Sequence, residues 1–454
     1  GISDSSWAVS YSVANWKFNS GVYNGQRQLY LIPYEADSVV QLNIDTEVAV
    51  MHNSWPAGIS AVAPMYLQCG VYDGQYLWMN SQHFSTTPSF IRLDTTTGAM
   101  LNMGYLVKPP GFSAGASDNF RGLAFDPATK SLWFIPGEAN MVLRLTMTTF
   151  TSTASDSATT TLHVHDGNSF SVETYPPMPL VGPDYQLHGF DNWGSAGGFS
   201  KTTSDQFSGA LIVSDDLWLG PETSTAELMK VNKLTGVMTK YGVPPGGATS
   251  WGFIGMVYDG TSLWMIPHNS AELVQINPAT GGMTGYAHSA GIYAFFGGIY
   301  DGRGFLWMTP VDANHVKRVD VTNAAMTSLT NFPSGVLPYP THMWAGAAFD
   351  GTSTWMPIRK GTHVVGVNTV DTTMRGIDTS SWTGISYSNI NLKFFSGVYN
   401  GQRELYLIPW DADSVVQLNI DTEVAVMHNS WPAGISAAAP RSEERRVGKE
   451  CRSR

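Results

Sequence analysis

Charge and cysteine are what this sequence has least of. Only 13% of its 454 residues are Asp, Glu, Lys or Arg, and the formal net charge is −11. A nucleic-acid binder needs a basic face to displace counterions, so nucleic acid is not an expected partner. Two cysteines, Cys69 and Cys451, cannot build a disulfide framework. No apolar run approaches the ~20 residues that a helix needs to cross a bilayer. Ala290–Tyr300, among the longest, is broken by glycines. Helical periodicity is essentially absent as well. What the chain does have is 43% hydrophobic and 12% aromatic residues, with 46 glycines and 25 prolines to punctuate them. That is enough apolar material for a large core made of many short elements joined by tight turns.

The last fourteen residues, 441–454 (RSEERRVGKECRSR), crowd six basic and three acidic side chains into a charge-poor chain. The string resembles, residue for residue, the in-frame translation of a sequencing-adapter oligonucleotide, and is read as a non-native tail. The chain opens at Gly1 without an initiator Met, so the sequence leaves the compartment open.

An internal repeat sets the fold. An aromatic–Asp/Asn–Gly signal recurs at Tyr23-Asn24-Gly25, Tyr72-Asp73-Gly74, Tyr258-Asp259-Gly260, Tyr300-Asp301-Gly302, Phe349-Asp350-Gly351 and Tyr399-Asn400-Gly401. Phe125-Asp126-Pro127 is a variant of it, and Val213-Ser214-Asp215 a degenerate one. Each is followed by a short apolar run such as LYLIP or LWMIP, then by an alternating run such as Val39–Asn43, and then by Thr-Gly-x-Met or a relative. Asp-Gly and Asn-Gly favour tight hairpins, because the central residues of such turns need positive φ. Each unit therefore reads as four short strands, and the spacing is that of β-propeller blades. Gly21, Gly70, Gly122, Gly255, Gly298, Gly346 and Gly397 are expected to open the innermost strands, where blades converge. Trp78, Trp133, Trp218, Trp264, Trp307 and Trp355, replaced by Tyr30 and Tyr406 in the outer two units, are expected to pack between blades.

The fold class is therefore all-β, a propeller of four-stranded blades, with two ways of counting them. Gly21–Ser60 and Gly397–Ser436 differ only at Gln28/Glu404, Tyr34/Trp410 and Glu35/Asp411. This near-identity favours a seven-blade unit over residues 1–376, with 377–440 as the first blade of a repeated unit. In the alternative, all eight blades close in one ring. A long interval at about 146–208 reads as an insertion or a degenerate extra blade, and loops on rigid scaffolds commonly carry specificity.

Segments such as Leu263–Tyr286 (LWMIPHNSAELVQINPATGGMTGY) resemble repeats of the streptogramin-lyase-like propellers and, more loosely, the NHL and regucalcin-like group. In the lyase family an acidic residue commonly follows the Leu-Trp-x-x run and, with histidine, builds a metal-dependent site. Here that slot is mostly proline: Pro33, Pro136, Pro221, Pro267, Pro310 and Pro409. The resemblance therefore implies the architecture and does not carry the lyase activity across.

Four sets of candidate residues follow. His163, His165 and Asp166 in the insertion have the donor types of a divalent metal site, the two histidines sharing a face if they lie on a strand. Asp184, His188 and Asp191 lie further along. Arg121 stands before Gly122, where other units place Ser20, Cys69, Ser208, Ile254, Gly297, Ala345 or Ser396. A lone cation there either holds an anionic ligand or pairs with an acid such as Asp118. Tyr34, Glu222, His268, Arg359 and Trp410 follow the second strands and vary where the framework does not, so they either line a binding rim or are unconstrained surface. Trp251, Phe295, Phe296, Trp344, Phe394 and Phe395 precede the innermost strands, as core or as stacking surfaces. No nucleophile elbow, His-Glu-x-x-His motif or P-loop is present. The leading expectation is a non-catalytic binding scaffold for a protein or glycan partner, one unit of a longer tandem-repeat protein, with no resident cofactor. A multivalent carbohydrate-binding propeller and a metal-dependent lyase or hydrolase with a central-channel site are the alternatives.

Overall fold

The computed structural model describes residues 18–428 except 35, 47, 57–58, 60–66, 82–89, 104–108, 114–118, 149–161, 166–169, 174–183, 191–206, 223–225, 248–250, 337–342, 345, 383–392, 411 and 413. Eight antiparallel four-stranded sheets form eight blades of one β-propeller. Their inner strands are Phe18–Tyr23, Leu67–Tyr72, Phe120–Asp126, Phe207–Val213, Phe253–Tyr258, Phe295–Tyr300, Ala348–Phe349 and Phe394–Tyr399. The ring closes between blade 8 and blade 1. Tyr406, Ile408 and Val415 of blade 8 share one core with Phe18, Leu29 and Leu31 of blade 1. The arrangement is thus the eight-blade ring, and blade 8 does not stand apart as the start of another ring. Among the described residues no helix is long and apolar enough to cross a membrane.

Every core cluster straddles two blades, and the repeated aromatic of the second strand supplies the link. Trp264 of blade 5 packs with Phe295, Leu306 and Met308 of blade 6. Trp355 of blade 7 packs with Phe394, Leu405 and Leu407 of blade 8. Tyr30 does the same between blades 1 and 2. Because these rings bury 150–250 Å² or so each, the interfaces carry much of the hydrophobic stabilisation. The inner glycines give the neighbouring blade room to approach. A Cβ at Gly70 would lie 2.7 Å from Ile32 Cδ1 of blade 1, and one at Gly21 would lie 2.6 Å from Ile408 Cδ1 of blade 8.

The Asp-Gly turn and the tryptophan prove to be one device. Asp259 Oδ1 accepts the N–H groups of Thr261 and Ser262, while its Oδ2 accepts Trp264 Nε1–H at 2.7 Å. Asp73–Trp78, Asp301–Trp307 and Asp350–Trp355 repeat the indole bond at 2.6, 3.0 and 2.9 Å. An Asn has only one side-chain acceptor, and the turn uses it: Asn24 Oδ1 takes the N–H groups of Gln26 and Gln28. Blades 1 and 8, which carry Asn, therefore carry Tyr in place of Trp. Asp259→Asn is expected to lower stability by about 1–3 kcal/mol, because the indole N–H is left buried against an amide. A urea midpoint unchanged from wild type would show that the bond contributes nothing.

The long interval after Leu145 holds no ninth blade among the described residues. Asp184–Phe190 is the fourth strand of blade 3, paired with Val142–Thr148. Between these two strands lies a separate two-stranded sheet, Leu162–His165 with Phe170–Glu173. The 441–454 tail lies outside the described residues.

Candidate functional site

Within each blade the first and third strands run away from one face, here called the upper face. The connections between second and third strands, and between one blade and the next, meet there. A belt of backbone hydrogen bonds runs around this face through blades 4 to 8. Gly252 N–H donates to Glu222 O, Ala294 to His268 O, Met343 to Val311 O and Lys393 to Arg359 O, at 2.6–2.9 Å. In return His268 N–H donates to Gly252 O, Val311 to Ala294 O, Arg359 to Met343 O and Trp410 to Lys393 O, at 2.7–2.9 Å. In blades 4 to 7 the residue after the second strand is therefore a fixed link to the next blade. The reading of these positions as unconstrained surface is corrected: Tyr34, Glu222, His268, Arg359 and Trp410 are all buried, at 9% exposure or less.

A second regularity lies just inside the belt. In seven blades the register between first and second strands slips at its upper end, immediately after the residue that opens the inner strand. Such a bulge re-aims the extra residue. The residues following the strand-opening position are Asn19, Gln68, Arg121, Ser208, Ile254, Phe296 and Phe395. Arg121 is consequently the counterpart of Asn19 and Gln68, not of Ser20 and Cys69 as its place before Gly122 suggests. This bulge position is two-sided in character around the ring: amide and guanidinium residues on blades 1 to 3, apolar residues on blades 5, 6 and 8.

The belt and the bulges bring the candidate residues together in two groups. Arg121 of blade 3 faces Glu222 of blade 4, Nη1 to Oε2 3.8 Å, so its acidic neighbour across the blade boundary is another candidate residue. Asp118 lies outside the described residues. In the other group, the Arg359 guanidinium of blade 7 lies over Phe296 and Trp410, 5.7 and 5.6 Å from their ring centroids. Trp410 stacks on Phe395 at 4.6 Å, and Phe395 meets Phe296 edge-on at 5.9 Å, across the shortened inner strand of blade 7. Phe296 in turn meets His268 at 6.0 Å. His268 Nδ1 lies 2.9 Å from Phe295 O of the next blade, and a carbonyl only accepts, so Nδ1 carries the proton. Lys393 Nζ donates to Gly361 O at 2.7 Å, and burial pushes this amine down to about 8.

The aromatic candidates divide cleanly. Phe295, Trp344 and Phe394 are core. Phe296 and Phe395 are half-buried at the mouth, and Trp251 is 46% exposed. Tyr293, 44% exposed, completes the group and was not among the residues singled out from sequence. The signal for it is the spacing shared by Trp251-Gly252-Phe253 and Tyr293-Ala294-Phe295.

His163 and His165 sit on the Leu162–His165 strand, at register positions opposite Val172 and Phe170. Asp166 and Asp191 lie outside the described residues. Among the described residues no group of three or more His, Cys, Asp or Glu is placed to hold a metal ion. Cys69 Sγ donates to Asn80 Oδ1 at 3.0 Å, and burial pushes its thiol up to about 12. It is held as a thiol, not a nucleophile.

No protein-family model matches the chain, and no curated protein matches it in sequence. Among solved structures it is similar to the dihydro-heme d1 dehydrogenase NirN, with a TM-score of 0.51 at 12% identity over 92% of this chain and 74% of that one. It is also similar to virginiamycin B lyase from Staphylococcus aureus, with a TM-score of 0.46 at 15% identity over 77% of this chain and 94% of that one. A β-propeller domain from Myceliophteria thermophila aligns at 0.43 and 11% identity, over 82% and 98%. At these identities the likeness is one of fold.

Proposed function

We propose that this propeller is a non-catalytic binding platform, a unit of a longer tandem-repeat protein, whose ligand seats on the upper face over blades 5 to 8. One observation carries the reading. Blades 1 and 8 are copies that differ at three of forty positions, and one of the three, Tyr34/Trp410, falls on the upper face directly after the second strand. The change to Trp410 supplies the ring that stacks on Phe395 and lies beside Arg359. Trp410 is itself buried, so the divergence changes the support beneath the half-buried rings of Phe395 and Phe296. Trp, Tyr and Arg clustered over a rigid frame are also the residue types that dominate binding energy in recognition surfaces. The belt positions hold a different residue in each blade, which favours one asymmetric site over eight equivalent ones.

The test is to screen immobilised glycan and peptide libraries with wild type, Trp410→Tyr and Phe296→Ala. Ligands bound by wild type and lost at least tenfold by Phe296→Ala, with mass unchanged after incubation, are expected. Ligands retained equally by both variants would move the site off this face. Ligands recovered cleaved or rearranged would make the protein an enzyme.

A further inference from the structure

The platform reading leaves the ligand class open; resting on it, we propose that Trp251 and Tyr293 form a stacking platform for a carbohydrate. Both residues have left-handed backbones, φ 53° each, a region that residues other than glycine seldom occupy without reason. Both nevertheless keep their rings in solvent, at 46% and 44% exposure. Burial therefore does not account for an aromatic at either position, and backbone preference argues against it. They are equivalent residues of neighbouring blades, each two before the buried Phe253 or Phe295. Both rings border the buried imidazole of His268 as two aromatic walls, Trp251 tilted at 42° with centroids 6.3 Å apart and Tyr293 edge-on at 78° and 5.3 Å.

The walls are preset. Trp251 O accepts Asn269 N–H at 3.1 Å and Tyr293 O accepts Asp312 N–H at 3.0 Å. Tyr293 N–H donates to Asn269 Oδ1 at 3.0 Å. No ordering of these backbones is needed when a ligand arrives, which is the condition for useful affinity from few contacts.

Two aromatic faces with an amide and a carboxylate residue beside them match a pyranose, whose C–H face is apolar and whose edge is hydroxyls. A protein partner fits less well. A standard interface covers ~800 Å² per side with an apolar centre. On this part of the upper face the exposed large apolar side chains among the described residues are Trp251, Ile292 and Tyr293. The other belt residues are already buried. A strip three side chains wide suits a sugar chain.

The experiment is binding of wild type, Trp251→Gly and Tyr293→Gly to a panel of neutral and acidic polysaccharides by affinity electrophoresis, beside a peptide library. Glycine suits the left-handed backbone, so each variant is expected to keep or raise Tm while losing at least tenfold in polysaccharide affinity. A role in packing would give the opposite, a lowered Tm with binding intact, and would overturn the proposal. Wild type that binds peptides through Phe296 and Trp410 but no polysaccharide would overturn the sugar assignment and leave the platform standing. Wild type that binds neither class would end both.

Discussion

Lys233→Met is expected to destabilise the propeller by about 3–5 kcal/mol, among the largest effects of any single substitution outside the aromatic core. Lys233, in the turn after the third strand of blade 4, reaches into blade 3 and donates to Asp126 Oδ2 at 2.6 Å, with both side chains about 95% buried. Burial alone would raise the Asp126 carboxyl, but Lys233 and Thr129 hold it below the usual carboxylate range. The same lysine is tied to blade 3 by its backbone, since Arg144 Nη1 donates to Lys233 O at 2.5 Å. Methionine keeps the volume of the stem and removes the charge. It leaves Asp126 buried with only its turn partners, Ala128 N–H and Thr129 Oγ1–H. Adding Asp126→Asn to Lys233→Met should restore at least half of the loss, because the uncompensated carboxylate goes too. Urea midpoints of the two single variants and the double variant measure this coupling. A single-variant loss under 1 kcal/mol would mean that water replaces the ammonium freely and the blade 3–4 boundary is looser than the geometry requires.

That pair also explains a gap in the repeat. Blade 3 carries Asp126-Pro127 where blades 2, 5, 6 and 7 have Asp-Gly, and its aspartate serves Lys233, where Asp259 serves Trp264. Trp133 lies instead beside Arg144, 5.5 Å from its ring. The four-stranded repeat and its turns are legible in the sequence because their chemistry is local. An Asn or Asp caps N–H groups two and three residues on, as Asn232 does for Leu234 and Thr235. The Trp spacing follows from one carboxylate spanning five or six residues. The upper face is a different matter. Its belt joins residues that are tens of positions apart, such as Glu222 with Gly252 and Arg359 with Lys393. A bulge inserts a residue without marking the sequence, which is why spacing from Gly122 sets Arg121 against Ser20 instead of Asn19. Ring closure is likewise tertiary: whether Ile408 fills the space above Gly21 or above an equivalent glycine in another ring is not written in either residue.

Stability is expected to fall as pH drops from about 6.5 to about 4, a decline that begins above the range in which the carboxylates titrate. The cause is a basic cluster at the boundary of blades 5 and 6. His315 is 8% exposed and its Nε2 has no hydrogen-bond partner, while Nδ1 lies 2.9 Å from Asn314 Oδ1. Burial, then Lys317, then His288 push His315 down to about 4. Burial also lowers His288, with Lys317 adding to it, although the Ser270 carbonyl on its Nε2 acts the other way. Lys317, itself 4% exposed and lowered by burial, donates to Ser328 Oγ at 2.7 Å. The Phe295 ring fills the space between the imidazoles, 5.5 Å from His288 and 6.1 Å from His315. In the unfolded chain each histidine takes its proton near pH 6.5, while folded His315 stays neutral until about pH 4. Between those values the unfolded state binds more protons, so acid draws the equilibrium towards it. At ~1.4 kcal/mol per pH unit, His315 alone accounts for about 3 kcal/mol across the window, and none above pH 7. His315→Gln should flatten most of this slope. Lys317→Met should flatten part of it, by letting His315 titrate closer to its ordinary value. Urea midpoints at pH 7.5, 5.5 and 4.5 decide the matter, and a wild-type midpoint that does not move between the first and the last would mean that His315 is reached by water and takes its proton in the folded ring.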